Sequence, residues 1–322
     1  MEEKLVTILN QMAEYLSVPQ MKKLQEILLI NLSDEPAEQT EISNSEYLKL
    51  FLDAKRIEGC SERTLQYYRV TVERMLQSIT TPIRKITTEE IRAYLVAYQQ
   101  DGRCSKVTVD NIRRNISSFF SWLEEEDYIL KSPMRRIHKI KTKKVVKEVI
   151  SDESMERMRD ACQEIRDLAI IDLLYSTGIR VGELIRLNID DINFEQRECI
   201  VFGKGDKERR VYFDAKAKIH LMEYLSGRVD NNPALFVSLN APHTRLQISG
   251  VEIRLRELGR QLLLNRIHPH KFRRTMATRA IDKGMPIEQV QKILGHSQID
   301  TTMQYAIVNQ NNVKNSHQKY IA

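Results

Sequence analysis

Residues 131–147 read Lys-Ser-Pro-Met-Arg-Arg-Ile-His-Lys-Ile-Lys-Thr-Lys-Lys-Val-Val-Lys, with eight lysines and arginines and no acid. A run of that charge cannot lie inside a core, and Pro133 interrupts any helix through it. It therefore divides the 322-residue chain into two segments, each of a size that suits one domain of about 150 residues. Before the run, apolar residues recur only at helical spacing. After it, helical stretches are interrupted by two short runs of alternating pattern. The fold class expected is mainly α with a small β-sheet: a helical domain over residues 41–137, a basic linker over 138–150, and an α+β domain over 151–322.

In the first segment, Tyr47, Leu48, Phe51 and Leu52 form one apolar stripe, and Leu65, Tyr68, Val72, Met75 and Leu76 form a second. Thr87 and Glu90 have capping-box spacing at the start of a third helix, which ends near Asp101 and Gly102. Ile112, Ile116, Phe119 and Leu123 mark a fourth, over about 105–125. Residues 1–32 predict two short amphipathic helices split near Pro19, and an acidic stretch follows them. Helices so short bury little area alone, so residues 1–40 are expected to dock on protein as an interaction or regulatory segment.

Charge is unevenly distributed. Residues 1–46 hold nine acids and three bases, whereas the remainder holds 47 bases against 35 acids. A net +12 over that remainder favours a polyanionic partner, because each phosphate neutralised releases condensed counterions. Lys106, Arg113, Arg114, Arg135, Arg136, Lys139, Lys141, Lys143 and Lys144 are the expected contacts to a nucleic-acid backbone. Hydrophobic residues at 42% and charged residues at 29% exclude wholesale disorder. No apolar stretch approaches the roughly 18 residues of a membrane span, and the start lacks a secretory pattern. A soluble, cytoplasmic protein with no membrane partner is expected. Cys60, Cys104, Cys162 and Cys199 form no C-x-x-C pair, and the seven histidines form no H-E-x-x-H. No metal site is visible.

In the second segment, helices are expected over 152–163, 166–176, 180–187, 249–258, 271–283 and 286–294. A hairpin is expected from residues 199–202 and 210–213, with Leu235, Phe236 and Val237 as a further apolar run. Four clusters there are chemically complementary. Thr177-Gly-Ile-Arg-Val-Gly-Glu-Leu184 presents Arg180, with Glu183 one turn on to orient it. Gly203-Lys-Gly205 puts Lys204 between two glycines at the hairpin tip, where the backbone can approach a bulky ligand. His268-Pro-His-Lys-Phe-Arg-Arg-Thr275 sets His270 and Arg273 on one face at a helix N-terminus, which favours anions. Leu294-Gly-His296 ends a helix, and Tyr305 follows nine residues later within a short polar helix. Each cluster alone is an ordinary surface pair, turn, cap or core residue. As a set, two guanidiniums are suited to clamp the non-bridging oxygens of one phosphodiester. A tyrosine, with an ordinary pKa near 10, becomes a nucleophile in such a positive site.

In this order the four clusters resemble the tyrosine recombinase or phage-type integrase family, which includes Xer-like site-specific DNA recombinases. The helical segment from about residue 46 is similar to that family's core-binding domain, with Thr64, Leu65 and Tyr68 in characteristic places. Gly182 stands where serine is common and Phe272 where leucine is common. The resemblance implies a C-shaped clamp around DNA, formed by the core-binding and catalytic domains. It also implies strand cleavage and rejoining through a 3′-phosphotyrosine on Tyr305. Arg180, Arg273 and His296 then hold the phosphate, Lys204 protonates the leaving 5′ oxygen, His270 is the general acid/base, and Glu183 supports Arg180. No cofactor is implied, since arginines supply the charge that metals supply elsewhere. The implied partner is double-stranded DNA carrying inverted-repeat recombination sites, bound by a homotetramer on two sites with an accessory directionality factor. Integration, excision, inversion and dimer resolution remain open as outcomes. The rival readings are a type IB topoisomerase-like relaxing enzyme and a non-catalytic DNA-binding accessory protein.

Overall fold

The computed structural model describes residues 2–32, 42–101, 104–142, 148–203 and 208–305. It divides into two compact units, Met1–Lys144 and Val145–Ala322.

The first unit is all helical. Helices α1 (Glu2–Met12) and α2 (Val18–Leu32) pack on each other. Four further helices build the core: α3 (Asn44–Ile57), α4 (Glu62–Ser78), α5 (Thr88–Asp101) and α6 (Lys106–Glu125). Serines open three of them, since Ser43, Ser61 and Ser105 each accept a hydrogen bond from the backbone three residues on. Thr87 and Glu90 close the expected capping box at α5, with Glu90 accepting from the Thr87 backbone at 2.8 Å. The stripes converge on Phe51, Phe119 and Ile116, all fully buried. Each such side chain contributes about 1.5–3 kcal/mol by leaving water.

Part of the basic run belongs to this unit. Residues Pro133–Arg136 form a 3₁₀ turn that buries Met134, and the Ile140 backbone N–H donates to Asp110 at 3.0 Å. Met134, Ile137 and Ile140 tie this part of the run to the bundle, while Lys131, Lys139 and Lys141 are exposed.

The second unit opens with α7 (Asp152–Ala161) and α8 (Ile165–Thr177). Helix α8 is buried almost all round, and its charged residues are held by partners: Arg166 on Asp167, Asp172 on Arg159. A single-turn helix α9 (Val181–Leu184) follows, shorter than the helix expected over 180–187. Three antiparallel strands come next: β1 (Ile192–Asn193), β2 (Glu198–Phe202) and β3 (Glu208–Tyr212). In the β2–β3 register Val201 faces Arg209 and Cys199 faces Val211, so these four share the inward face. The sequence pattern assigns Arg209 to the turn; in the structure the ladder extends through it.

Helix α10 (Ala215–Ser226) is absent from the sequence-based expectation. Its signals are the Asp214 cap on Ala217 and an inward stripe of Ala217, Leu221 and Tyr224. Two lysines in its first turn mask that stripe. Leu235, Phe236 and Val237 are buried but form only isolated bridges around them. Helix α11 (Ile248–Gln261) begins one residue before Ser249, with no side-chain cap, so the capping box expected from Ser249 and Glu252 does not form. Helices α12 (Pro269–Asp282), α13 (Ile287–Leu294) and α14 (Asp300–Met303) complete the unit. Among the described residues no helix is long and apolar enough to cross a membrane.

Candidate active site

Arg180 sits where α8 ends. Gly178 takes a left-handed conformation (φ 64°) that stops α8, and Arg180 then becomes the extended N-cap of α9. It is thus outside the helix rather than in its first turn. Glu183 folds back on it: one carboxylate oxygen accepts from the Arg180 backbone N–H at 2.7 Å, the other from the Arg180 guanidinium at 2.8 Å. Glu183 thus bonds both the backbone and the guanidinium of Arg180.

Glu183 has a second arginine, which the sequence pattern does not single out. Arg209 reaches from the inward face of β3 and donates Nη1 and Nη2 to the two carboxylate oxygens, at 2.8 and 2.6 Å. Burial alone raises a carboxyl pKa, yet the hydrogen bonds and charges of Arg209 and Arg180 outweigh it, leaving Glu183 below the ordinary value. The available signal is the period-2 pattern, which places Arg209 on the face of Val211.

Arg273 is buried on α12, four residues after its start. Nη1 donates to the Gly178 carbonyl at 2.8 Å, and Nη2 donates to the Leu294 carbonyl and to His296 Nε2, the latter at 3.0 Å. Burial and the charge of Arg180 push its pKa down to about 10. A guanidinium has no acceptor, so His296 Nε2 must carry the lone pair and Nδ1 the proton. That proton points at the hydroxyl of the buried Thr302, 2.8 Å away. His296 is accordingly held neutral, its pKa pushed down to about 4 by burial and by the charges of Arg273, Arg180 and Arg209. The family resemblance leads one to expect His296 to donate to a phosphate. In this arrangement it accepts from Arg273 instead, and donation from Nε2 requires the other tautomer, with the Thr302 hydroxyl turned to donate.

The Tyr305 ring stacks beside His296, centroids 6.1 Å apart, and rests against the small cluster of Ala277, Val290 and Leu294. Tyr305 lies in the turn after α14, not within it. His270, exposed in the first turn of α12, has its pKa lowered by partial burial and by the nearby charges of Arg273 and Arg180. Arg180, Arg209 and His296 line one cleft of about 1160 Å³. Lys204 lies outside the described residues, as do Lys143 and Lys144.

The expected backbone contacts divide. Lys106, Lys139 and Lys141 are exposed. Arg114 is exposed and bonded to Asn111, Arg135 is paired with Glu124, and the Arg136 carbonyl accepts from Arg92. Arg113 is largely enclosed and bonded at 2.9 Å to Asp110, the carboxylate that also accepts from the Ile140 backbone N–H.

A phage integrase family model matches residues 142–312, more than half of the chain, and a model of the phage integrase N-terminal SAM-like domain matches residues 47–130. The chain belongs to the phage integrase family of tyrosine recombinases. Tyrosine recombinase XerC of Oceanobacillus iheyensis is 31% identical over 291 residues, covering 85% of this chain and 95% of that protein. Tyrosine recombinase XerD of the same organism is 32% identical over 288 residues, covering 84% and 96%. The structure of a lambda integrase dimer bound to a core site superposes with a TM-score of 0.69 at 18% identity, over 88% of this chain and 85% of that one. That last likeness speaks for the fold. As a tyrosine recombinase, this protein is a site-specific DNA recombinase that breaks and rejoins DNA strands.

Proposed function

We propose that this recombinase cuts DNA with Tyr305, using Arg180 and Arg273 as the phosphate clamp. The observation that carries the reading is the direct link from Arg273 to His296 at 3.0 Å, with the Tyr305 ring stacked on that same histidine. Tyr305 Oη attacks phosphorus, and the bond from phosphorus to the 5′ oxygen breaks. His270, biased toward its neutral form, takes the phenolic proton, and Lys204 protonates the departing 5′ oxygen. The guanidiniums stabilise the charge that builds on the non-bridging oxygens. The phosphotyrosine keeps the energy of the phosphodiester, so a 5′-hydroxyl from a second duplex rejoins the strand by the reverse steps. His296 keeps Arg273 in place and turns to the phosphate only by exchanging tautomer against Thr302.

The helical unit and the catalytic unit both engage the duplex, and the lysines of residues 139–144 contact its backbone. Recombination of two inverted-repeat sites calls for a tetramer, with the acidic N-terminal helices docking on a neighbouring subunit and an accessory factor setting direction. The test is a nicked half-site substrate whose cut strand loses its 5′ end and traps the covalent adduct. The wild-type chain is expected to accumulate the adduct, and Tyr305→Phe to bind the half-site equally but form none. Adduct formation by Tyr305→Phe overturns the assignment.

A further inference from the structure

Arg209 occupies a position that a small sheet normally fills with an apolar residue. It faces inward from β3 beside Val211, and its side chain is 10% exposed. All three guanidinium nitrogens are committed to protein acceptors: Nη1 and Nη2 to the two oxygens of Glu183, and Nε to the Ile293 carbonyl at 2.8 Å. The stem runs so close under the turn after α13 that a Cβ on Gly295 would lie 2.9 Å from Arg209 Cδ. One side chain thereby joins three pieces of chain. It rises from the hairpin whose loop contains Lys204, it holds the carboxylate that orients Arg180, and it anchors the end of the helix that delivers Leu294 and His296 to Arg273. The neighbouring Arg210 points the other way, to Glu198 and solvent.

We propose that Arg209 is a positioning residue for strand cleavage, setting Arg180 through Glu183 and the His296 turn through the Ile293 carbonyl. With each of its three nitrogens already serving a protein acceptor, it acts through those partners rather than as the main phosphate ligand. It preorganises groups that bind the phosphate, and a displacement of about 1 Å in such groups costs on the order of 10² in rate. The inference rests on the reading of Arg180 as a phosphate ligand, and the test separates the two.

The assay is single-turnover adduct formation by the full chain on a nicked half-site, with half-site affinity measured alongside. Arg209→Met is expected to slow cleavage on the order of 10²-fold with affinity within about 3-fold of wild type. Arg209→Lys, which offers a charge but cannot span both carboxylate oxygens and the carbonyl, is expected to recover part of that loss. Arg180→Ala is expected to slow cleavage on the order of 10² or more. Because one of its two routes runs through Arg180, the Arg180→Ala/Arg209→Met pair should lose clearly less than the product of the two single losses. Multiplied losses in the pair, or wild-type cleavage by Arg209→Met, overturn the inference. If Arg209→Met does not fold, the same cycle run with Arg209→Lys decides it. Unimpaired cleavage by Arg180→Ala would instead refute the phosphate clamp itself.

Discussion

Thr302→Val removes one oxygen from a fully buried site and leaves the shape almost unchanged. In the wild-type chain that oxygen lies 2.8 Å from His296 Nδ1, and it is what lets the proton rest there while Nε2 accepts from Arg273. Valine leaves the Nδ1 proton of the half-buried ring without a partner, at a cost of about 1–3 kcal/mol. For a unit of this size that corresponds to a melting temperature lower by roughly 2–4 °C per kcal/mol, or about 4–8 °C at the middle of the range. Cleavage should fall further than stability implies. The ring can escape the unpaired proton by moving it to Nε2, but a donor there faces the Arg273 guanidinium, which also only donates. Arg273 then loses one of the three hydrogen bonds that aim it, and a fall of roughly 10–100-fold in adduct formation is expected, near the lower bound for a lost transition-state donor. Thr302→Ser keeps the hydroxyl and should restore most of both properties. Thermal melting and nicked half-site trapping on the three proteins measure this together. If the valine variant melts and cleaves like wild type, or the serine variant fails as badly, the hydroxyl does not set the tautomer.

Gly178→Ala places a Cβ at φ 64° and against the end of Met276, so stability should drop by about 1–2 kcal/mol from the left-handed backbone alone. Cleavage should suffer too, because the Gly178 carbonyl receives Arg273, and unchanged melting would contradict the assigned conformation. Stability should also decline as pH falls from about 6.5 toward 4, since the unfolded chain then takes up a proton that His296, held at about 4 when folded, refuses. His268 and His270 are shifted in the same direction. Melting of His296→Gln should therefore approach that of wild type as pH drops through this window, and a gap that widens would reverse the sign. Replacing Lys139, Lys141, Lys143 and Lys144 by Gln should weaken all DNA sequences alike and shrink the slope of log K against log salt by roughly 0.9 for each phosphate left unneutralised. An unchanged slope would mean that these lysines are only solvated.

Local rules made much of this protein legible in its sequence. Helices α3 to α6 begin where serine and threonine caps and apolar stripes put them, because a helix depends on residues three or four apart. The same holds for the left-handed glycines that end α8 and α13 and so expose Arg180 and His296. The spacing between Arg180 and Glu183 is likewise enough to foresee their bond. Helix α10 is legible in principle, through Asp214 and its i, i+4 stripe, but lysines in its first turn obscure the signal.

What the tertiary structure decided is which of many basic residues work together. Arg209 and Arg210 are adjacent and alike in sequence, yet one is sealed against Glu183 and Ile293 while the other pairs at the surface with Glu198. Arg113 looks like its neighbour Arg114, but only the former turns inward to Asp110. Strand register and helix phase select between such neighbours, and both are set by packing partners distant along the chain. The state of His296 is of the same kind. Its tautomer follows from an arginine 23 residues before it and a threonine six residues after it, and only the folded chain brings a pure donor to one ring nitrogen and a hydroxyl to the other.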